Sequence, residues 1–519
     1  HFGSRPLFAR CAQAPARERE REMAPPAAFA ALAVGARVPQ GDVGQLSWNK
    51  PGLAQVPEFG SGATLSGQSS GAFLRDGASA ALAASAAAAV ALAAIGRQRR
   101  QRLGRALAML PRKAVITKVE ELGWAEVDLK EEGIREQLEK ALRRGGMSGK
   151  ALVAGKKYPT RKEVMDKIPE DCFKKDTFKS MMYAASSVGQ CALCAFLAWK
   201  FIPLTAAAWP LWTMYAVVQG TLATGMWVIA HECGHDAFCN EKWLQTAVGY
   251  VLHSILLAPY QSWQRSHAIH HAKTNHLTQG ETHVPKVGSK PRIWEKASKA
   301  LGARTPVAIV RTAVRLLLGW PAYIFFGASG GPAYGRTSHV WPWKPFNQGE
   351  KELFPGRFKN KVLQADVGII ATLAALFFWG KALGWASVIA MYVGPLTISN
   401  AWLVLYTWLQ HTDIDVPHFD NDAWDWGRGA FMTIDRPYGP VLDFIHHKIG
   451  STHVAHHVNC TIPHYKALKA TEALKEHFPD FYLYDPTPVP LALFRVVKNC
   501  FRVQRAPGPD GMHLFTSIA

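Results

Sequence analysis

Four long apolar runs constrain the fold of this 519-residue chain more than any other feature. They cover residues 182–204, 211–230, 362–383 and 385–409, and each has the ~20 residues that a helix needs to cross a bilayer. Short links join the first run to the second and the third to the fourth, which predicts two helical hairpins. The sequence therefore predicts an all-α, multi-pass membrane protein with four transmembrane helices, in which everything outside the hairpins lies on one side of the membrane.

Two further apolar runs, at 243–259 and 306–327, are predicted to lie at the membrane surface. The second run contains Arg311 and Arg315, which share one helical face and are costly in hydrocarbon. The loop at 286–315 is rich in Lys and Arg, which predicts a cytosolic location. An interfacial helix at 306–327 leaves the chain before and after it on that same side.

The charge balance is strongly basic, with 59 Lys and Arg against 39 Asp and Glu and a formal charge of +20. Such an excess can indicate nucleic-acid binding, but no basic run contains a recognisable nucleic-acid motif. Basic cytosolic loops of a membrane protein explain the charge instead, so no nucleic-acid partner is predicted. Eight Cys in a chain of this length do not predict a disulfide framework.

The composition changes near residue 150, which predicts an N-terminal extension at 1–150 and a membrane domain at 151–519. The sequence begins with His1, and Met23 is the candidate start residue. From Met23 to residue 112 the only acidic residues are Asp42, Glu58 and Asp76. An acid-poor, Ala-rich stretch that contains Arg resembles an organelle transit region. The alternatives are a disordered tail and an extra hydrophobic anchor at 78–95.

Three short histidine clusters supply the candidate functional residues. Each one spaces its histidines by three or four residues, which puts the imidazoles on one face of a helix. The clusters are His231-Glu232-Cys233-Gly234-His235, His267-Ala268-Ile269-His270-His271 and His453-Val454-Ala455-His456-His457. The predicted hairpins bring all three to the same aqueous face, where eight nitrogen ligands would suit two metal ions. Imidazole-rich, carboxylate-poor coordination favours iron, zinc or copper.

A zinc protease is the competing interpretation of the first cluster. His231, Glu232 and His235 match the H-E-x-x-H motif, in which the Glu is a general base beside a catalytic zinc ion. An intramembrane metalloprotease of this kind needs three protein ligands and an open position, which leaves the other two clusters without a role. A non-catalytic metal-binding membrane protein is a third class, and storage does not require so many imidazoles.

From about residue 159 to residue 485 the sequence resembles the integral-membrane acyl-lipid fatty acid desaturases, most closely the delta-12 (omega-6) branch. The motifs that support the resemblance are Val228–His235, Trp263–Ser266, Gly280–Pro285, Leu409–Thr412, Trp424–Trp426, Asp435–Gly439 and Thr452–His457. Ala268 and Ile269 in the second cluster depart from the plant pattern. An omega-3 desaturase or a fatty acid hydroxylase of the same family are therefore the alternatives.

The resemblance implies a di-iron enzyme that inserts a cis double bond at delta-12 of a monounsaturated acyl chain, oleoyl to linoleoyl, with O2 and two external electrons. It implies an acyl-lipid or acyl-CoA substrate and no catalytic residue beyond the metal ligands. The implied iron ligands are His231, His235, His267, His270, His271, His453, His456 and His457, with His411, just beyond the fourth apolar run, as a ninth.

Other residues near the clusters have two interpretations each. His276, His283, His447 and His464 are either partners that orient the ligands or surface residues of a cytosolic cap. Asp236, Glu281 and Asp413 are either acceptors for the outer imidazole N–H groups or solvated acids. The aromatic candidates for the walls of an acyl tunnel are Trp227, Trp263, Trp402 and Trp408.

The electron donor is predicted to be a separate protein. The sequence has no His-Pro-Gly-Gly segment of the cytochrome b5 type and no C-x-x-C-H haem attachment, and the glycine-rich 327–335 stretch is predicted to be a loop. Cytochrome b5 suits an enzyme of the endoplasmic reticulum, and ferredoxin suits a plastid one. The central region favours the endoplasmic reticulum membrane, whereas the leader favours a plastid membrane.

Overall fold

The computed structural model describes residues 157–288, 293–301, 304–414, 416–505 and 511–515. The predicted leader, the alternative anchor at 78–95 and the boundary near residue 150 lie outside the described residues. The two apolar runs of each predicted hairpin lie within them.

The described part of the chain is mainly helical, as predicted. Its α-helices are α1 (Arg161–Met165), α2 (Thr177–Phe201), α3 (Trp209–Gly234), α4 (Lys242–Ile255), α5 (Tyr260–Ala272), α6 (Ile293–Ala300), α7 (Arg304–Phe326), α8 (Phe358–Leu383), α9 (Trp385–Val388), α10 (Gly394–His411), α11 (Trp426–Phe431), α12 (Pro440–Ile445), α13 (His453–Val458), α14 (His464–His477) and α15 (Val489–Asn499). The 3₁₀ turns are Glu170–Phe173 and Ala206–Ala208, and the π-helical turn Ile389–Val393 joins α9 to α10.

Helix starts follow local capping rules. The Thr160 hydroxyl accepts a hydrogen bond from the Glu163 backbone N–H at 3.3 Å, and the Glu163 carboxylate accepts one from the Thr160 N–H at 2.6 Å. This reciprocal pair satisfies donors that the first turn of α1 leaves unpaired. Asp176 begins α2 in a similar way, by accepting the Lys179 N–H at 2.9 Å.

Helix α3 is the central element, because it packs against α2, α4 and α10. A Cβ atom on Gly220 of α3 would lie 2.5 Å from the Pro395 carbonyl oxygen of α10. Glycine is therefore required for the close approach of these two helices. This approach places the end of α10 beside the end of α3, where the first histidine cluster begins.

Within the described residues, four helices are long and apolar enough to cross a membrane: Thr177–Phe201, Thr305–Phe326, Phe358–Leu383 and Trp385–His411. The predicted number is confirmed, and three of the four contain predicted spans. The fourth lies in α7 and covers most of the 306–327 run, which was expected at the membrane surface. Helix α3 was expected to cross the membrane but is not among the four. The crossing of α3 and the interfacial position of α7 remain predictions.

The packing of α7 explains how an apolar helix accommodates two arginines. Arg311 is buried and donates hydrogen bonds to the carbonyl oxygens of Val497 (2.5 Å) and Cys500 (2.8 Å). The Arg315 guanidinium lies 3.9 Å from the centre of the Trp408 ring. The charged face of α7 therefore contacts α15 and the following residue, together with the end of α10, which removes the cost of exposing these charges to lipid.

A small sheet, not predicted from the sequence, joins distant loops. Its strands are β1 (Lys286–Val287), β2 (His418–Phe419), β3 (Arg502–Arg505) and β4 (Met512–Phe515), in the order β1-β3-β4-β2. β1 is parallel to β3, with Lys286 opposite Arg502, and the other pairs are antiparallel. The C-terminal hairpin thereby ties the loop after the second histidine cluster to the segment after α10.

Candidate metal centre and substrate cavity

The four elements that carry the predicted ligands end close together. His231 and His235 lie at the C-terminal end of α3, and His411 is the last residue of α10. The second cluster lies on α5 and the third forms most of α13. Because α3 and α10 pack side by side, their ends present the imidazoles towards the same region.

The histidines form two groups. In each, the ligand atoms lie within 4.8 Å of one another. The first imidazole group consists of His231, His235, His267, His271 and His456, and the second of His270, His411 and His457. His453 adjoins the second group, because its Nε2 lies 3.0 Å from the Nε2 of His411. All nine predicted positions therefore converge on two adjacent centres.

Helix geometry explains how one cluster serves both centres. His267 and His271 are four residues apart and share a face of α5, so both belong to the first group. His270 directly precedes His271, so the two side chains diverge by ~100° around the helix, and His270 belongs to the second group. On α13, His456 and His457 are divided between the two groups in the same way.

The nitrogen separations match those of ligands on a common ion. The Nε2 atoms of His231 and His267 are 3.1 Å apart, and those of His270 and His411 are also 3.1 Å apart. Two nitrogens that each lie ~2.1 Å from one ion, at right angles, are ~3.0 Å apart. The residues present therefore fit two metal ions with imidazole ligands.

The protonation of the imidazoles also fits metal binding. Burial lowers the pKa of His270 and of His456 to about 3, so both rings are neutral near pH 7. A neutral imidazole has a nitrogen lone pair available for a metal ion. The Nε2 atoms of His456 and His457 are buried without a hydrogen-bond partner, a costly state that a metal ion would relieve.

Thr274 fixes the orientation of His457. Its hydroxyl donates to the His270 carbonyl oxygen at 2.8 Å and lies 3.0 Å from the Nδ1 of His457. Because a hydroxyl has only one hydrogen, Oγ1 must accept the second bond from an Nδ1–H group. The lone pair of His457 is therefore on Nε2, which points into the second group. Sequence analysis missed Thr274, which follows α5 by two residues.

Glu232 does not have the position of a protease base. Its Oε2 accepts the backbone N–H of His464 at 2.8 Å, and its Oε1 lies 3.5 Å from the Nδ1 of His231. The carboxylate thus contacts the outer nitrogen of a candidate ligand, as partners that orient metal-bound histidines do. The backbone of His464 positions Glu232, and the zinc-protease interpretation loses its general base.

The other candidate partners have different roles. His276 accepts backbone N–H groups of its own turn, and His447 bonds Ser187 at 3.0 Å. The ring of His283 lies parallel to that of His411, with 5.6 Å between centroids. Asp236 pairs with Lys242 at the surface. Asp413 and Glu281 bond other side chains, as described below, so none of the three acids bonds a cluster imidazole.

Asp435 and Arg436 anchor the third cluster. The Asp435 carboxylate accepts the backbone N–H of Val454 at 2.9 Å and the hydroxyl of Tyr482 at 2.6 Å. This fixes the first turn of α13, which carries three of the nine histidines. Asp435 was noted in the sequence only as part of a motif, since its partner lies nineteen residues further along the chain.

Arg436 is completely buried at the centre of a four-charge network. It donates to the Leu409 carbonyl oxygen at 3.2 Å and to Asp413 at 3.0 Å, and it pairs with Asp485. Arg495 bonds the same two carboxylates at 2.5 and 2.6 Å. The network holds the end of α10, and with it His411, against α15.

A cavity of about 300 Å³ runs beside the imidazoles. His231, His267, His270, His411 and His453 line it, together with apolar side chains such as Val228 and Leu403. Three of the four predicted wall residues, Trp227, Trp263 and Trp408, are in the lining. Trp402 is not among the lining residues, and its indole N–H donates to the Thr221 hydroxyl at 2.9 Å. An acyl chain in this cavity would pass directly beside the candidate metal positions.

The fold and the two imidazole groups define a membrane-associated enzyme with a buried candidate metal centre on an apolar cavity. The family model described as Fatty acid desaturase matches residues 207–487, and the chain belongs to this family. It is thus an oxidoreductase that acts on acyl lipids, as predicted. The alternative class of zinc metalloprotease is rejected.

Curated relatives refine the comparison. The chain is 40% identical over 343 residues to the delta(12)-fatty-acid desaturase of Arabidopsis thaliana, covering 65% of this chain and 85% of that protein. It is 39% identical over 348 residues to the omega-6 fatty acid desaturase, endoplasmic reticulum, of Brassica juncea (66% and 87%). It is also 39% identical over 350 residues to the oleoyl-12-hydroxylase of Ricinus communis (67% and 87%).

Proposed function

We propose that this protein is a di-iron delta-12 (omega-6) desaturase that converts oleoyl chains of membrane lipids to linoleoyl chains. The observation that supports the proposal best is the pair of imidazole groups, with facing nitrogens 3.0–3.2 Å apart, on the wall of one apolar cavity. The names of the Arabidopsis and Brassica relatives supply the regiochemistry.

The proposed iron ligands divide between two ions. One ion would take His231, His235, His267, His271 and His456, and the other would take His270, His411, His457 and His453. Zinc and copper also bind imidazole, but zinc has no redox chemistry, and the family's reaction consumes an oxidant. Bound here, iron would supply the oxidising power that an unactivated methylene requires.

The protein itself buries the imidazoles, orients them and excludes bulk water. Burial keeps the imidazoles neutral, and the bonds from Thr274 and Asp435 hold them in fixed directions. The apolar walls hold two adjacent methylenes beside the centre and keep bulk water from the oxidant. The overall reaction is R–CH2–CH2–R′ + O2 + 2 e⁻ + 2 H⁺ → R–CH=CH–R′ + 2 H2O.

Hydroxylation at the same position is the second candidate. The Ricinus hydroxylase is as similar to this chain as the Brassica desaturase, at 39% identity. Overall similarity therefore does not separate the two outcomes, which differ in whether the substrate loses a second hydrogen or gains a hydroxyl group. The motif departure at Ala268 and Ile269 lies between the first two of the three proposed ligands of α5, and an omega-3 product is the third possibility.

We place the enzyme in the endoplasmic reticulum membrane with cytochrome b5 as its electron donor. The name of the Brassica relative includes the endoplasmic reticulum, which supports this placement. Exposed lysines such as Lys296 and Lys299 on α6 would attract an acidic donor. A plastid location with ferredoxin as donor is the alternative that the predicted leader favours.

The test is the fatty-acid profile of a eukaryotic host that makes oleate but no linoleate, expressing the full chain. Linoleate in the wild type, and none with His267→Ala at equal protein level, is the expected result. Hydroxylated oleate in place of linoleate would move the assignment to the hydroxylase. A profile identical to that of the empty host, with protein present in the membrane fraction and ferredoxin supplied, would contradict the proposal.

A further inference from the structure

One buried carboxyl near the cavity, that of Glu281, bonds none of the nine candidate ligands. Glu281 is 2% exposed and accepts hydrogen bonds from Tyr323 and Thr282, each at 2.9 Å. The nearest imidazole, that of His339, lies 4.0 Å away. A buried acid held mainly by hydroxyl groups rather than by a full positive charge is costly as a carboxylate, which is the usual condition for a group that exchanges protons.

The hydroxyl of Tyr323 connects this acid to the cavity. Tyr323 lines the cavity, and its oxygen lies between Glu281 Oε2 at 2.9 Å and Ser266 Oγ at 3.0 Å. The described residues that line the cavity include no Asp or Glu, so a carboxyl can reach it only through another side chain. Ser266 lies one helical turn before His270 on α5, so the connection ends close to the second imidazole group.

The hydrogen-bond chain can reverse its direction. When Glu281 is ionised, Tyr323 donates to it. When Glu281 is protonated, it can donate to the tyrosine oxygen, and the tyrosine hydrogen is then free to turn towards Ser266 or the cavity. Such reversal is what a proton relay needs, because a proton enters at one end of the chain as another leaves at the other.

The backbone of Glu281 packs against the glycine-rich loop at 327–335, which lines a second cavity of about 560 Å³. The Gly331 N–H bonds the Gly280 carbonyl oxygen at 3.0 Å, and a Cβ on Gly330 would lie 3.0 Å from the Glu281 carbonyl oxygen. Glycine is therefore needed for this loop to lie directly against the Glu281 backbone. The predicted loop is confirmed, and it both packs against the Glu281 backbone and lines the second cavity.

We propose that Glu281 and Tyr323 form a proton relay that delivers to the substrate cavity the two protons consumed when O2 is reduced. This inference rests on the proposed function. In each transfer the Glu281 O–H bond breaks, its proton passes to the Tyr323 oxygen, and the former Tyr323 proton passes to reduced oxygen in the cavity. Glu281 then regains a proton from water. The two electrons come from the external donor and the remaining two hydrogens from the methylenes, so the overall reaction balances.

The titratable groups that face Glu281 set the expected pH dependence. Burial raises the pKa of Glu281 to about 7, although the bonds from Thr282 and Tyr323 oppose the rise. Burial lowers the pKa of His339 to about 4, so that ring is neutral in this range. Tyr323 on α7 and Tyr334 in the loop after it are the other titratable neighbours. Glu281 is protonated below about pH 7 and ionised above it. The relay therefore has a proton to deliver only below that value, and turnover falls as the pH rises through it.

The test compares Glu281→Gln and Tyr323→Phe with the wild type in the full-length, iron-loaded enzyme. A positioned proton donor contributes about 100-fold or more, so kcat is expected to fall by about that factor in both variants while KM and iron content stay unchanged. The decline of wild-type activity above about pH 7 should disappear in Glu281→Gln. Glu295→Gln is the matched control, because Glu295 is also buried but pairs with Arg502 at 3.2 Å.

Infrared spectroscopy provides a readout that is independent of turnover. The wild type is expected to show a carboxylic-acid C=O band that titrates near pH 7 and is missing from Glu281→Gln. Wild-type kcat and an unchanged pH profile in Glu281→Gln would overturn the relay, as would loss of iron from that variant or absence of the band in the wild type. If the wild type makes no unsaturated product, the proposed function has failed rather than the relay.

Discussion

The two imidazole groups are built in different ways. The first uses two pairs of histidines that lie four residues apart, His231 with His235 and His267 with His271, so helix periodicity assembles each pair and tertiary contacts bring the pairs and His456 together. The second takes single members from three helices: His270 from α5, His411 from α10, and His457 from α13, with His453 beside it. The first group therefore depends partly on local structure, whereas the second depends on tertiary contacts for every member of the trio.

The tertiary contacts that assemble the second group are polar and buried. Arg436 and its carboxylate partners hold the end of α10, whereas Asp435 holds the first turn of α13. The first group depends on α13 only for His456. Disturbing these polar contacts should therefore affect the second group more than the first.

The largest effect is expected from Arg436→Met. Removing one partner from a buried ion pair costs about 3–5 kcal/mol, because it leaves buried charge uncompensated. Arg495 still bonds both carboxylates, so we expect the lower end of this range. Thermal unfolding of the detergent-solubilised protein would measure it. Lys242→Met, which breaks a pair whose side chains are 66% and 47% exposed, should leave the midpoint unchanged, and equal midpoints for both variants would refute the assignment.

Asp435→Asn should have the next largest effect. The carboxylate accepts both bonds, whereas the amide accepts only through its oxygen, so either the Val454 N–H is left unpaired or the Tyr482 hydroxyl has to reverse and accept from the amide nitrogen. Loss of a partner that orients metal ligands typically reduces metal affinity or activity by about 10–100-fold. Competition with a chelator would measure iron affinity, and the second group should lose iron first.

Asp425→Asn is the matched control for that experiment. Asp425 caps α11 by accepting the Arg428 N–H at 2.9 Å, but α11 carries no histidine. Asparagine caps helices about as well as aspartate does, so this variant should keep both its stability and its iron. If Asp425→Asn and Asp435→Asn lost iron equally, Asp435 would have only a general structural role.

The smallest effects are expected where single outer partners are removed. Glu232→Gln weakens the contact with His231 in the first group, and Thr274→Val removes the bond to His457 in the second. We expect activity losses of about 10-fold, larger for Glu232 because a carboxylate makes an imidazole a stronger ligand than a hydroxyl does. Linoleate yield per unit of membrane protein would measure both. A peptidase activity that vanishes in Glu232→Gln would reverse the interpretation of this residue.

Local patterns in the sequence predicted the three histidine clusters and the helical architecture, but not the division of the histidines between two groups. Spacing of three and four residues placed the imidazoles on helix faces, and apolar length identified the long helices. For α7 the same patterns give conflicting predictions. Its two arginines suggested a surface helix, yet its length and hydropathy match those of a membrane-crossing helix, and both arginines are accommodated by contacts with distant parts of the chain.

The features that sequence analysis missed depend on contacts between distant residues. Arg436 and Asp485 are 49 residues apart, and the Glu281–Tyr323 pair spans 42 residues. A single sequence has no periodic signal for such pairs, because each partner satisfies its own local rules. The four-stranded sheet was missed for the same reason, since β1 and β2 have only two residues each and depend on the C-terminal hairpin.

The central claim is that each imidazole group holds one iron ion. Its most direct test is metal analysis with Mössbauer spectroscopy of the purified full-length protein, alongside His235→Ala, His457→Ala and the control His477→Ala, whose histidine is exposed at the end of α14. We predict two iron ions in the wild type and in the control, and about one in each ligand variant, with different remaining spectra. A single metal ion in the wild type, zinc in place of iron, or two iron ions in both ligand variants would contradict the account.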